Sequence, residues 1–263
     1  MRNRNNYRVK VYVVITMLGC VSLLALGSLS KKIWSPVKKN VKAEQAVTSI
    51  VYDEKVLGKL KIVCNKLDMS GKEFFISGSI SSDDGADSIQ KIVDADYVLS
   101  RKDQNYYCRF GNTETINTPE MYLFVDHGIR KIMVSASKRI TTSSNLPDLS
   151  SLVKNLRGEN YEVIDEVTGD TEHISLVNEN HITCMLYKLS FNAKNLRPER
   201  IYLKLRDGQE PDNKLMNKTL EIKIKECGQY SDDKKYNTNH ILKRNGSAWE
   251  TSPVCKGYEL IIL

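Results

Sequence analysis

The sequence predicts a mainly β (α+β) protein: a curved antiparallel sheet or half-barrel covered by an N-terminal amphipathic helix and preceded by one transmembrane helix. Three observations predict it. The first acidic residue is Glu44, and an uncharged run of 20 residues from Val11 to Ser30 lies between two basic flanks before it. Apolar residues then recur near a 3.6-residue period up to Leu67. Beyond Gly71 the pattern changes to short strands punctuated by turn residues.

Arg2, Arg4, Arg8 and Lys10 form a basic cytoplasmic tail over residues 1–10, residues 11–30 form the apolar segment, and residues 31–43 form a lysine-rich linker. Twenty helical residues span roughly 30 Å, the thickness of a bilayer's hydrocarbon core. The run exceeds the roughly 7–15 residues of a signal-peptide core, so it reads as an uncleaved anchor ahead of a cleaved signal. Met17-Leu18-Gly19-Cys20 has a passing likeness to a lipoprotein box, but the apolar run continues past Cys20, as it would around a cysteine buried in a membrane helix. A short basic tail before the first apolar segment favours a cytoplasmic N-terminus, with the main domain periplasmic or extracellular; long domains cross largely regardless of charge.

Nine of the 39 basic residues precede Glu44, which leaves 30 against 32 acidic ones from there on, a net of −2. The basicity of the whole chain is therefore a membrane-flank signal, and no basic stripe marks the domain as a nucleic-acid reader. Residues 44–263 are long enough to build a proper core. Five cysteines lie in this part, an odd number, so they cannot all pair with one another. Cys227 and Cys255 flank a polar excursion and are the candidate disulfide; Cys64, Cys108 and Cys184 fit apolar core positions.

The amphipathic helix is expected over Glu44–Leu67, ended by Asp68, Ser70 and Gly71. Strands follow at Glu73–Ile80, Ala95–Arg101, Tyr106–Phe110, Met121–Val125 and Ile129–Ala136, joined by short loops as in a meander. Residues 141–149 are a polar connection, and Leu152–Leu156 is a short helical stretch. A second meander comprises Tyr161–Val167, His173–Asn178, His181–Phe191, Arg200–Leu205 and Thr219–Cys227. In the last of these, Leu220, Ile222 and Ile224 alternate with charged residues, so one face is buried and the other wet. Tyr236–Leu242 and Gly257–Leu263 are apolar enough to dock on the core.

Motifs that carry chemistry are missing from the sequence. The histidines (His127, His173, His181, His240) have no metal-ligand spacing, and His127 falls in a hairpin turn where a solvated side chain is expected. No nucleophile elbow or phosphate-binding glycine loop follows any strand. Asp83-Asp84-Gly85-Ala86-Asp87 lacks the alternating acids and closing Glu of a calcium loop and reads as an acidic hairpin tip. Glu162 and Glu166 would share one face of a strand, with Asp165 on the other. No catalytic, cofactor or metal residue is assigned and no enzyme activity is expected.

Tyrosine is plentiful, 13 in all, with Tyr97, Tyr106, Tyr107, Tyr122, Tyr161, Tyr187 and Tyr202 on predicted strands. Ordinary β propensity accounts for this, and so would a sheet lining an apolar groove. The order of basic tail, apolar segment, helix and meander, and above all the run ADYVLSRKDQNYYCRFGNTETINTPEMYLFVDHGIRKIMVSA (Ala95–Ala136), resembles the bacterial lipoprotein-localisation (Lol) carrier-like proteins. The resemblance implies a half-open antiparallel barrel wrapped around helices, with acyl chains sheltered in an apolar cavity; it carries no functional residue across. Two functions are thus expected of the domain. It binds lipid or lipoprotein acyl chains, or it is a non-enzymatic structural or interaction subunit with an envelope protein partner. Either is held at a membrane through residues 11–30, with no nucleic acid.

Overall fold

The computed structural model describes residues 50–69, 71–87, 91–138, 156, 158–229, 233–246 and 248–263. The tail, apolar segment, linker, Cys20, residues 44–49 of the expected helix and the stretch 152–155 lie outside them. Among the described residues no helix is long and apolar enough to cross a membrane. The chain divides into two units, residues 1–51 with 143–160 and residues 52–142 with 161–263. Everything below concerns the second unit.

Helix α1 (Glu54–Lys66) starts later than the periodicity suggests, because Asp53 caps it: its carboxylate accepts a hydrogen bond from the Lys55 amide at 2.7 Å. Glu54 in the first turn and Lys66 in the last complement the helix dipole. Val56, Leu57, Leu60 and Val63 are buried, the i, i+1, i+4, i+7 spacing of one face.

The strands are β1 (Glu73–Asp84), β2 (Ile92–Lys102), β3 (Asn105–Phe110), β4 (Thr113–Asn117), β5 (Tyr122–Asp126), β6 (Lys131–Ser135), β7 (Glu162–Thr168), β8 (Thr171–Val177), β9 (Cys184–Asn192), β10 (Pro198–Leu205), β11 (Lys218–Gly228), β12 (Leu242–Asn245), β13 (Ala248–Thr251) and β14 (Glu259–Ile262). Twelve of them form one sheet in the order β14-β6-β5-β4-β3-β2-β1-β11-β10-β9-β8-β7, with β14 and β7 at opposite ends, so the sheet is not closed into a barrel. It is also not purely antiparallel as expected: β14 runs parallel to β6. The connection from β6 to β14 goes by way of the whole second meander and a cap, which frees the last strand from the hairpin geometry that makes neighbours antiparallel.

Side chains directly opposite one another in a ladder share a face. The registers Ile174↔Leu189↔Ile201↔Ile222↔Ile80 and Ile224↔Gly78↔Tyr97↔Phe110, with Ile76↔Leu99↔Cys108↔Thr115↔Phe124↔Met133, trace one continuous face from β8 to β6. α1 is fastened to this face over β7 and β8: Lys59 Nζ lies 2.5 Å from Glu172 Oε1 and 3.9 Å from Asp165 Oδ2. Lys66 donates to the Asn195 carbonyl in the β9–β10 turn at 2.6 Å.

The other face of β2–β6 has its own cover. Residues 233–258 form a cap built of the 3-10 turn Asp233–Tyr236, the β12–β13 hairpin and the 3-10 turn Pro253–Cys255. Tyr236, Ile241, Leu242 and Cys255 are buried with Tyr107, Ile116, Leu123, Val125, Ile132 and Val134. The Tyr236 hydroxyl meets Ser100 Oγ at 2.8 Å. Helix and cap therefore cover opposite faces of one sheet, each over one half of it.

This arrangement separates the candidate disulfide. Cys227, opposite Ile76, belongs to the helix face, whereas Cys255 belongs to the cap on the other face. Both are free thiols, and the sheet stands between them.

Candidate functional site

The helix face of β2–β6 holds the candidate site. Strand alternation sends Tyr97, Leu99, Tyr106, Cys108, Phe124 and Met133 to it while sending Ser100, Tyr107, Glu114, Ile116 and Leu123 to the cap core. Leu99, Tyr106, Cys108, Phe124 and Met133 are half-buried. Five strands at about 4.8 Å spacing give a face roughly 20 Å across. Burial pushes the Cys108 thiol up to about 11, and it pushes the hydroxyls of Tyr106 and Tyr97 up as well. These groups are thus held in their uncharged forms.

Two features give it polarity. The Tyr97 hydroxyl is buried and has no hydrogen-bond partner among the described residues. Gly78, directly opposite Tyr97, leaves room for that ring, at a bulge between Ser77 and Gly78. At the edge, Lys138 Nζ sits 3.8 Å from the centre of the Tyr122 ring, a cation over an aromatic face. An aromatic and aliphatic face with a buried donor and a cation at its margin can hold an apolar chain with a polar head. Each methylene taken from water is worth about 0.8 kcal/mol. Nucleophile–base chemistry would need a different set of groups.

Two measured spaces lie elsewhere. One, between Leu67, Phe74, Phe75 and Cys227, has about 10 Å³ of room, that of a single water. A groove of about 410 Å³ lies between the β12–β13 hairpin and the sheet end, lined by Met121, Val134, Trp249, Ile262 and Leu263, with Glu120 and Arg244 beside them. Its lining mixes charges with apolar groups.

Of the residues singled out in the sequence, the acidic ones take the expected places and His127 does not. Asp83 and Asp84 are each paired with a lysine, Lys91 and Lys218, both at 2.7 Å, as suits a hairpin tip. Asp165 faces α1, the parity expected of β7, with Glu166 near Lys188 on the other side. His127 is not a solvated turn residue: its ring bridges Glu114 Oε2 at 3.2 Å and the Tyr258 hydroxyl at 3.0 Å. His240 reaches the same carboxylate, with Nε2 3.6 Å from Glu114 Oε1. Sequence reading missed Glu114 because Thr113–Asn117 is too polar to look like a strand; the Thr/Glu/Thr/Ile alternation was the available signal. Among the described residues, no group of three or more His, Cys, Asp or Glu side chains could hold a metal.

The chain matches no family model and no curated protein. Solved structures similar to it include a LolA superfamily protein from Nitrosomonas europaea, at 12% identity over 73% of this chain and 100% of that one, with a TM-score of 0.28. An uncharacterized conserved protein from Thermus thermophilus shares 8% identity over 80% of this chain and 98% of that one, with a TM-score of 0.34. A putative outer membrane lipoprotein-sorting protein domain from Vibrio parahaemolyticus shares 9% identity over 71% and 97%, with a TM-score of 0.27. Its structural neighbours thus include the lipoprotein-sorting proteins that Ala95–Ala136 resembles, at a similarity too loose to carry a function across.

Proposed function

We propose that the domain binds an acyl chain of a lipid or lipoprotein on the helix face of β2–β6, held at a membrane by residues 11–30 with the domain outside the cytoplasm. The observation that carries this reading is the buried Tyr97 hydroxyl, without a hydrogen-bond partner among the described residues, on a face of Leu99, Tyr106, Cys108, Phe124 and Met133. Buried polar atoms are nearly always paired, and an ester or carboxyl oxygen of a bound chain supplies the missing acceptor. Apolar walls with few polar groups are the usual make-up of a small-molecule site.

The test is titration of the full-length protein with a fluorescent fatty acid. Wild type takes up one chain, and Phe124→Glu or Met133→Glu weakens uptake at least about tenfold, since a carboxylate buried there is costly. Trp249→Phe, in the groove beneath the cap, leaves uptake unchanged. A wild type that takes up no chain ends the reading; loss through Trp249→Phe alone moves the site to the groove. Protection of the domain from added protease in sealed membrane vesicles tests the orientation.

One observation favours the interaction-subunit reading. Among the described strands β7 ends the sheet, and Val167 on it is 62% exposed, an edge suited to strand pairing. Crosslinking from a photoreactive residue at position 167 distinguishes the two: a protein adduct supports this reading, and its absence alongside fatty-acid uptake supports the first.

A further inference from the structure

Two of the chain's four histidines converge on one buried carboxylate at the seam between the sheet and the cap. Glu114 is 8% exposed and lies on β4, and His127 comes from the β5–β6 turn. His240, Cys255 and Tyr258 come from the cap. Tyr107 and Arg109 flank Glu114 from β3, with Arg109 directly opposite it in the ladder.

The hydrogen-bond partners distinguish the two rings. His127 Nε2 faces the carboxylate and its Nδ1 faces a hydroxyl, which can donate, so one proton on Nε2 satisfies both contacts. His240 has acceptors on both sides. Its Nδ1 is 2.7 Å from the Asn237 carbonyl oxygen, and its Nε2 is 3.6 Å from Glu114 Oε1. A neutral imidazole has one N–H and leaves one of those acceptors facing a lone pair; only the imidazolium presents an N–H to both, as a hydrogen bond to the carbonyl and an ion pair with the carboxylate.

We propose that His240 is a proton-operated latch: as an imidazolium clamped between Glu114 and the Asn237 carbonyl it fastens the cap to the sheet, and on losing its proton it loosens residues 236–258. The carboxylate supplies the complementary charge. Burial opposes ionisation of Glu114, but the hydrogen bonds from His240 and His127 outweigh it and hold the carboxyl below its usual range. The hydrogen bond with Glu114 holds the His240 imidazole above its own, against the opposing pull of burial. A basic group held above its unfolded value stabilises the closed cap fully at lower pH and stops doing so as pH rises through the folded value. The cap is therefore tightest in mildly acidic surroundings and loosens toward alkaline ones.

Hydrogen exchange of the full-length protein, corrected for the intrinsic effect of pH, reads this directly. The reporting amides are Leu242, bonded to the Thr238 carbonyl, and Ser252, bonded to that of Ile241. Their protection is expected to fall about threefold or more between about pH 5.5 and pH 8.5, while amides of β10 and β11 keep theirs. His240→Gln removes the dependence and His127→Gln retains it. Flat protection in wild type, or a dependence that survives His240→Gln, overturns the proposal. Should the variants fail to fold, NMR titration of the wild-type histidines decides: His240 titrating above an unfolded-chain histidine supports the latch, and titrating at or below it overturns the latch.

Discussion

Replacing Lys59 by methionine removes the cation that sits between α1 and two carboxylates. Glu172 is 2% exposed, with Lys59 Nζ 2.5 Å away and Asp165 sharing the same amine at 3.9 Å. Breaking a fully buried pair costs 3–5 kcal/mol, by rough measure, because the remaining charge is stranded. The Lys59 side chain is 38% exposed, so water already screens part of this attraction, and we expect a loss of about 2 kcal/mol at neutral pH. That corresponds to a fall in Tm of about 4–8 °C for a domain of this size.

The pH dependence has a definite sign. Burial pushes the Asp165 carboxyl up, and the charge and hydrogen bond of Glu172 push it further, against the pull of Lys59. A carboxylate held above its unfolded value destabilises the fold when ionised, and the penalty vanishes as pH falls through the folded value. Without Lys59 the penalty grows, so the deficit of Lys59→Met is greatest at neutral pH and shrinks toward about pH 4, as the Asp165 carboxyl takes up its proton. Urea unfolding followed by far-UV circular dichroism across that range gives the values. The double variant Lys59→Met/Glu172→Leu recovers most of the loss, since an apolar pair of similar volume replaces the stranded charge. A single variant within about 0.5 kcal/mol of wild type at neutral pH, or a deficit that grows toward acid, refutes the reasoning.

Two further substitutions test the candidate site. A Cβ added at Gly78 would lie 1.8 Å from the Lys223 carbonyl oxygen, so Gly78→Ala forces β1 and β11 apart and costs about 3 kcal/mol or more, measured by the same unfolding assay. Tyr97→Phe deletes a buried hydroxyl without a partner among the described residues; it stabilises the unliganded protein by roughly 1 kcal/mol while weakening fatty-acid uptake, and a loss of stability would show that the hydroxyl is satisfied in the free protein.

Much of the sheet was legible because its strands alternate. Leu220, Ile222 and Ile224 lie on the helix face as their spacing requires, and the expected strands from Glu73 to Cys227 coincide within a few residues with β1–β3 and β5–β11. What escaped had its physical reason each time. β4 carries a buried Glu114 and Asn117, which look like loop residues until His127, His240 and Lys138 are seen to pair with them. The β12–β13 hairpin had its Asn245-Gly246 turn signal, but its strands, four residues each, are too short for a period to show. Parallel pairing of β14 with β6 depends on a contact between segments more than 120 residues apart, which local pattern does not encode. Of the candidate site, the tyrosines on strands were visible, but not which face each would take: Tyr97 and Tyr106 go to one core and Tyr107 to the other.

The two faces of β2 also guard the sheet against misfolding. In β2 the residues at 97 and 99 serve one side and those at 98 and 100 the other. A slip of one residue would put the Tyr97 and Leu99 side chains beneath the cap and Ser100 on the candidate ligand face, spoiling two packings at once. A sheet with one wet side has only half that protection, because its exposed row tolerates whatever the slip delivers. Here both sides of the same strand proofread its alignment.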